Sequence, residues 1–148
     1  MIYRNNQGQL VENAGWEQNI HGGVANYLPN RSLLRYRGRY RCFGYNHAVL
    51  VTSQGCTGRC NFCACWPAMA GKYISKKPEV IVAEIHDIVS KGHRHIFLGD
   101  DNTFLNIPNA WKTVALLEEF LKKWGRKISL NGYCRADTIV QNPELFRR

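Results

Sequence analysis

The chain has 148 residues, of which 45% are hydrophobic and 21% charged, and its 20 Lys and Arg residues against 11 Asp and Glu residues give a net charge of +9. This composition is typical of a globular protein of one domain at most, and no apolar run approaches the roughly 20 residues of a membrane span. The basic balance favours an anionic partner, and we expect a small-molecule or anionic substrate.

The six cysteines are too few for a disulfide scaffold of this length, and no apolar signal segment follows Met1. We therefore expect a cytoplasmic protein whose cysteines are reduced and bind metal. Cys42 and Cys134 stand apart in apolar or strand-like surroundings, and we expect each to be a small buried hydrophobic residue.

Residues 1–46 lack helical periodicity, and we expect them to form a leader or linker of irregular and β structure. The first twelve residues predict a short β-hairpin, in which the polar run Asn5-Asn6-Gln7-Gly8 turns the chain between strands at 2–4 and 9–11. Glycines and a proline then interrupt the leader, which is typical of a loop.

An arginine stretch occupies residues 31–41 of the leader. An extended strand there would place alternate arginines on one face. Two interpretations remain open: a contact with phosphate or RNA, or the solvated face of an edge strand that discourages aggregation. The arginines of this stretch are Arg31, Arg35, Arg37, Arg39 and Arg41.

Strands and helices are predicted to alternate after residue 46. The apolar run at residues 48–51 suits a strand buried on both faces of a parallel sheet. Amphipathic periodicity, proline near the start and glycine after the end predict the helices. In chain order we expect a strand at 48–51, a helix from 78 to 91, a strand at 95–98, a helix from about 108 to 124, a strand at 127–133 and a helix beginning at 142–144.

This order predicts an α/β fold made of three βα units with a parallel sheet. In barrels of such units, functional residues lie on the loops that follow the carboxyl ends of the strands. Polar segments occupy all three of these positions, at residues 52–65, 99–102 and 133–137. We expect their side chains to form one site.

The first of these segments holds three cysteines, Cys56, Cys60 and Cys63, in the spacing C-x3-C-x2-C. A structural zinc site and an ordinary [4Fe–4S] cluster each take four protein ligands. A cluster on three cysteines leaves one iron open to a small molecule. Cys65 is a further thiol nearby, so a zinc site and an electron-transfer iron–sulfur protein remain alternatives, as does an RNA-binding module built on the arginine stretch.

The cysteine spacing, with Phe62 directly before the third cysteine, resembles the signature of the radical S-adenosylmethionine (SAM) superfamily. Members of that superfamily bind SAM at the open iron of a [4Fe–4S] cluster and cleave it to a 5′-deoxyadenosyl radical. Residues 52–56, 98–102 and 134–137 extend the likeness to the class that usually carries a cobalamin-binding domain. Gln54 and Thr57 differ from the arginine and proline usual in that class.

The resemblance implies a role for individual residues. Cys56, Cys60 and Cys63 would ligate the cluster, and the backbone at Phe62 would lie against the adenine of SAM. The segment Gly99-Asp100-Asp101 would accept hydrogen bonds from the SAM ammonium, although turn and helix-cap chemistry is an alternative. Arg135 would pair with the SAM carboxylate or an anionic substrate, or instead with Asp137 or Asp101.

The resemblance also implies an architecture. Residues 47–148 would be the N-terminal half of a radical SAM core, the first three units of a partial, TIM-like (β/α)6 barrel, so that the sequence would be a truncated portion of a longer enzyme. That enzyme would take its electron from a reductant such as flavodoxin or ferredoxin. We expect it to use cobalamin in methyl transfer, with methylthiotransferases of RNA and ribosomal protein as the alternative.

Overall fold

The described part of the chain is a series of short strands and helices. The computed structural model describes residues 2–12, 27–34, 41–42 and 44–147. The strands are β1 (Ile2–Arg4), β2 (Leu10–Glu12), β3 (Arg41–Cys42), β4 (Tyr45–Leu50), β5 (Ser53–Gly55), β6 (Tyr73–Ser75), β7 (His95–Leu98) and β8 (Ser129–Gly132). The helices are α1 (Cys65–Ala68), α2 (Pro78–Ser90), α3 (Ile107–Trp124), α4 (Ala136–Gln141) and α5 (Pro143–Arg147), with a 3-10 turn at Arg31–Leu33.

A sheet in the order β3-β4-β7-β8 forms the centre of the fold. Strand β3 runs antiparallel to β4, whereas β4, β7 and β8 are parallel to one another. In the parallel part Leu50 lies beside Leu98, which in turn lies beside Gly132. The predicted α/β arrangement is therefore confirmed, and the three predicted strands are β4, β7 and β8.

Helices α2 and α3 pack on one face of the sheet and enclose the core. Pro78 lies in the first turn of α2, and Gly125 ends α3 in the left-handed conformation that favours glycine. None of the helices in the described ranges has both the length and the apolar character that crossing a membrane requires. The buried apolar cluster consists of Ala48, Leu50, Ile81, Ile85, Ile88, Val89, Ile96, Leu98 and Leu117.

The prediction that the first strand is buried on both faces is wrong. Ala48 and Leu50 are buried, but Val49 between them is 58% exposed. Successive side chains of a strand point to opposite faces, and α2 and α3 cover only the face that holds Ala48 and Leu50. A continuous apolar run therefore does not require that both faces be covered in the described part of the protein.

The predicted hairpin of the leader is confirmed, because β1 and β2 pair antiparallel, with Tyr3 opposite Val11. The arginine stretch lies mostly outside the described residues. Its first member, Arg31, is described with its side chain, whereas of Arg41 only the backbone is described, as part of β3.

Three further elements were not predicted: the antiparallel ribbon of β5 and β6, the single-turn helix α1, and helix α4. The ribbon strands read Ser-Gln-Gly and Tyr-Ile-Ser, which are too short to show a period-2 pattern. Helix α4 begins at Ala136, within the segment 133–137 that we predicted to be a loop. The helix predicted at 142–144 is α5, which begins at Pro143.

A buried ionic cluster joins the leader to α2 and to the end of β6. Glu84 of α2 is 1% exposed, and its two carboxylate oxygens accept from Arg31 Nη2 and Lys76 Nζ, each at 2.5 Å. Arg31 also donates to the backbone oxygen of Val49 at 3.0 Å. Burying charges is costly unless they are paired and hydrogen-bonded, so this cluster holds residues 27–34 against the edge of β4.

Candidate functional site

The three cysteines lie on one long loop, the cysteine loop (residues 56–72), which the ribbon of β5 and β6 closes at its base. Gly55 ends β5 with a φ of +82°, and a side chain there would overlap the carbonyl oxygen of Lys72, the residue directly before β6. Only glycine suits both the conformation and the close approach. The residue before Cys56 is therefore set by the closure of the loop.

The loop has internal supports of its own. The backbone N–H of Cys63 donates to the oxygen of Cys60 at 3.0 Å, which turns the chain between the second and third cysteines. The guanidinium of Arg59 lies 4.9 Å from the centre of the Trp66 ring, a distance typical of a cation–π contact. Trp66 in turn lies so close to Gly71 that a side chain at position 71 would collide with its indole.

Each of the three sulfur atoms has an N–H donor nearby. The backbone N–H groups of Gly58 and Cys65 donate to the Sγ of Cys56 at 3.3 Å and of Cys63 at 3.4 Å. Arg135 Nη1 donates to Cys60 Sγ at 3.5 Å. Hydrogen bonds to sulfur stabilise the thiolate form, and such bonds recur around iron–sulfur clusters.

The cysteine loop has room for a bound group beside two of its thiols. A Cβ at Gly58 would lie 3.3 Å from Cys56 Sγ and 3.9 Å from Cys60 Sγ, so glycine leaves the space between the two sulfurs free. Among the described residues no three His, Cys, Asp or Glu side chains converge as ligands of one ion.

Cys65, the alternative fourth ligand, is half-buried behind the other thiols. Burial, followed by the neighbouring carboxylate of Asp101, raises the pKa of Cys65 to about 11. These surroundings favour the neutral thiol form of Cys65.

Asp100 is buried beneath the cysteine loop. Its carboxylate accepts from the backbone N–H groups of Thr52 at 2.6 Å and Ser53 at 3.1 Å, and also from the Thr52 hydroxyl. These contacts join the end of β7 to the start of β5. Both oxygens are therefore already engaged within the protein, and the predicted contact of Asp100 with a SAM ammonium stays a prediction.

Gly99 and Asp101 flank that buried carboxylate at the exposed edge. Asp101 Oδ2 accepts from the backbone N–H of Gly55 at 2.9 Å, and the thiol of Cys65 is a further hydrogen-bond partner of the carboxylate. The N–H of Gly99 donates to Leu50 at 2.9 Å, and a Cβ at Gly99 would lie 3.0 Å from Val49 Cγ1. Asp101 therefore contacts the residue that precedes Cys56, whereas Gly99 contacts the end of β4.

Arg135 and Phe62 lie on the exposed side of the site. The fork of Arg135 Nε and Nη2 binds the Asp137 carboxylate at 2.8 to 3.1 Å, which is one of the alternatives that the sequence left open. This pair raises the pKa of Arg135 and lowers that of Asp137. Phe62 is 93% exposed, so its backbone and ring are accessible to a ligand.

Three residues of the site were not predicted from the sequence. Asn102 is 1% exposed, its Nδ2 lies 3.8 Å from Cys56 Sγ, and its Oδ1 has no hydrogen-bond partner among the described residues. Lys76 bonds through its backbone N–H to the Thr52 oxygen at 2.8 Å, and its amine reaches Glu84. The polar run at 99–102 was a signal for Asn102, whereas no local pattern distinguishes Lys76 or Glu84 from surface charges.

Comparison with known proteins gives a family match over most of the chain. The model of the family described as "Radical SAM superfamily" matches residues 50–142, a range that includes the cysteine loop, Asp100, Asp101 and Arg135. No solved structure matches the chain significantly.

Several curated proteins are similar to the chain. Hopanoid C-3 methylase of Methylococcus capsulatus is 26% identical over 122 residues, which are 82% of this chain and 22% of the methylase. Ribosomal protein uS12 methylthiotransferase RimO of Alkaliphilus oremlandii is 34% identical over 117 residues, covering 74% of this chain and 26% of that protein. RimO of Frankia casuarinae is 29% identical over 100 residues, covering 68% and 18%. The chain thus spans about a fifth to a quarter of the length of these relatives.

Proposed function

The chain belongs to the radical SAM superfamily, and from that premise we propose that it binds a [4Fe–4S] cluster through Cys56, Cys60 and Cys63 and uses it to cleave SAM reductively. The observation that carries this proposal is the set of three thiols in one loop, each within reach of an N–H donor. A bound cluster would supply the electron that breaks the carbon–sulfur bond of SAM, and its fourth iron would hold the amino acid part of SAM.

The remaining residues of the site position the loop and the substrate. Asp100 fixes the start of β5, and Asp101, which holds the N–H of Gly55, is exposed at the surface of the site. An ammonium group is the partner that such an exposed carboxylate favours. The exposed ring and backbone of Phe62 provide a flat apolar surface for the adenine.

Iron content and spectroscopy test the cluster directly. Anaerobic reconstitution of the purified protein should give about four irons and four sulfides per chain. Replacing Cys56, Cys60 or Cys63 by Ala should abolish uptake, whereas Cys134→Ala is the matched control that leaves it intact. Stoichiometric zinc without iron, or equal iron uptake by the Cys60 and Cys134 variants, would overturn the proposal.

Addition of SAM distinguishes a radical SAM site from an electron-transfer cluster. An open iron takes SAM as a ligand, so the electron paramagnetic resonance spectrum of the reduced cluster should change when SAM is added. An electron-transfer protein with a fourth protein ligand should show no change. Formation of 5′-deoxyadenosine under reducing conditions is the second measurement, and its absence together with an unchanged spectrum would count against the proposal.

For the group transferred, we propose a methyl group, moved to an unactivated carbon with cobalamin as the carrier. The likeness to hopanoid C-3 methylase, which covers 82% of this chain, supports that choice. Methylthio transfer is the second candidate, because RimO of Alkaliphilus oremlandii has the higher identity of 34%. Cobalt and corrinoid in the protein purified from its natural host would support methyl transfer, and a second iron–sulfur cluster without cobalt would support methylthio transfer.

A further inference from the structure

One nitrogen of the Arg135 guanidinium takes no part in the ion pair with Asp137. Its Nε lies 3.0 and 3.1 Å from the two oxygens of Asp137, and its Nη2 lies 2.8 Å from one of them. The Asp137 carboxylate is itself held by the backbone N–H of Thr138 at 2.9 Å. The third nitrogen, Nη1, points at the Sγ of Cys60, 3.5 Å away.

We propose that Arg135, oriented by Asp137, is a positioning residue that donates a charge-assisted hydrogen bond to the Cys60 thiolate and so raises the reduction potential of the cluster. This inference rests on the proposed function, because it needs a cluster on Cys60. Reduction adds one electron, supplied by a flavodoxin- or ferredoxin-type reductant, while Cys60 remains a thiolate. A cation beside the sulfur stabilises the more negative, reduced form, and hydrogen bonds to the sulfurs are among the factors that set cluster potentials.

The geometry also argues against the alternative role, a pair with the SAM carboxylate. Bidentate recognition of a carboxylate uses two parallel N–H groups of the guanidinium fork. The Nε and Nη2 edge of Arg135 is already occupied by Asp137. The remaining Nη1 is directed at sulfur, so recognising a second carboxylate would require breaking one of these two contacts.

Gly58 leaves room for this contact. A Cβ at position 58 would lie 3.1 Å from Arg135 Nη1 and 3.3 Å from Cys56 Sγ, tighter than an ordinary van der Waals contact. Alanine at position 58 would therefore push the guanidinium away from Cys60 and leave the charge of Arg135 and its pair with Asp137 in place. This gives a second way to break the hydrogen bond.

A redox titration followed by electron paramagnetic resonance tests the proposal on the reconstituted protein. Arg135→Gln removes the charge and should lower the midpoint potential while the iron content and the affinity for SAM stay unchanged. The midpoint potential of Arg135→Lys should lie between those of Arg135→Gln and the wild type, because lysine keeps the charge but lacks the guanidinium fork. Arg147→Gln is the matched control: Arg147 also pairs with an exposed carboxylate, that of Glu144 at 2.7 Å, and its removal should leave the potential unchanged.

The possible outcomes separate this inference from the proposed function. A wild-type protein that takes up no iron–sulfur cluster overturns both. A normal cluster with equal potentials in the wild type and Arg135→Gln overturns only the role of Arg135. An unchanged potential with tenfold weaker SAM binding would assign Arg135 to the SAM carboxylate instead. Should Arg135→Gln lose its cluster, Gly58→Ala is measured in its place, and a wild-type potential in that variant contradicts the proposal.

Discussion

Two groups of charged and polar residues border the cysteine loop, and they differ in burial. The loop base is largely buried, and its carboxylates are fully engaged by donors of the protein. It is formed by Arg31, Thr52, Lys76, Glu84 and Asp100. The loop rim, formed by Asp101, Arg135 and Asp137, is exposed. The charged side chains of the base must be paired, because an unpaired charge is costly where water is excluded. Those of the rim can stay partly unpaired, because water solvates them.

The comparison is sharpest between two arginine–carboxylate pairs. The side chains of Arg31 and Glu84 are 11% and 1% exposed, whereas those of Arg135 and Asp137 are 45% and 49% exposed. Removing one partner of a buried pair leaves the other charge buried, unpaired and unsolvated, which costs stability. Removing one partner of an exposed pair leaves the other charge solvated by water, which costs little. We expect the base to determine whether the loop forms, and the rim to affect the bound cluster and SAM with little effect on the stability of the fold.

The largest expected effect is that of Glu84→Gln. This change leaves the Lys76 amine buried without a counter-charge and leaves Arg31 only the Asp87 carboxylate, 3.9 Å away. The loss of one partner from a buried ionic cluster costs about 3–5 kcal/mol of unfolding free energy. Urea unfolding of the purified protein measures it. The control is Glu144→Gln, because that glutamate forms an exposed pair with Arg147.

The same site provides a test of mechanism. Replacing all three charges together, by Arg31→Met, Lys76→Met and Glu84→Leu, removes the cluster without leaving an unpaired ion. We expect this variant to be more stable than Glu84→Gln, since apolar replacements of whole buried ion clusters are often neutral or stabilising. A triple variant less stable than Glu84→Gln, or a loss below about 1 kcal/mol in the single variant, would show that the base is not held by charge.

Asp100→Asn should have the next largest effect. The carboxylate accepts from two backbone N–H groups at Oδ1 and from the Thr52 hydroxyl at Oδ2. An asparagine oxygen could still accept both N–H groups, and its amide could donate to the hydroxyl, but all three bonds lose the assistance of the negative charge, at a cost of about 1–3 kcal/mol. We expect lower melting temperature and reduced iron uptake together. Unchanged melting with weaker SAM binding would instead support the predicted ligand role of Asp100.

The alternating strands and helices of the α/β part could be predicted from the sequence. The apolar stripe of α2 and the runs at β4 and β7 have the periods of buried helices and strands, and Pro78 and Gly125 mark helix ends. The polar segments that follow the three strands also predicted one site at the carboxyl ends of those strands. Contacts at 2.6 to 3.5 Å between residues 52 and 100, 55 and 101, and 60 and 135 now join these three segments.

The base could not be predicted because its partners are far apart in sequence. In the sequence, Glu84 and Lys76 look like ordinary charged residues of a solvent-exposed surface. Arg31 lies 53 residues before Glu84. Only tertiary structure brings the three together. The difference in burial between Asp100 and Asp101 could not be predicted from the sequence either, since two adjacent aspartates give no indication of which one faces inward.

Asp137→Asn should have a small effect on stability. The pair with Arg135 is exposed, and salt screens exposed pairs. We expect a slight fall in melting temperature at low salt that disappears at about 1 M salt, where the Debye length is about 3 Å. The control is the wild-type protein over the same salt range. A large fall that persists at high salt would place Asp137 with the base rather than the rim.

The smallest effect on stability, and the most specific effect on function, is expected for Asp101→Asn. The oxygen of asparagine can still accept from the Gly55 N–H, which Asp101 holds at 2.9 Å, so the closure of the loop should survive. The lost negative charge is the one that would favour the ammonium of SAM. We therefore expect weaker SAM binding, measured by calorimetry on the reconstituted protein, with the melting temperature and iron content of the wild type. Because Asp100→Asn changes the neighbouring residue in the same way, the two variants form a matched pair. Intact SAM affinity in Asp101→Asn, combined with a large loss of stability, would mean that exposure does not separate binding residues from structural ones at this site.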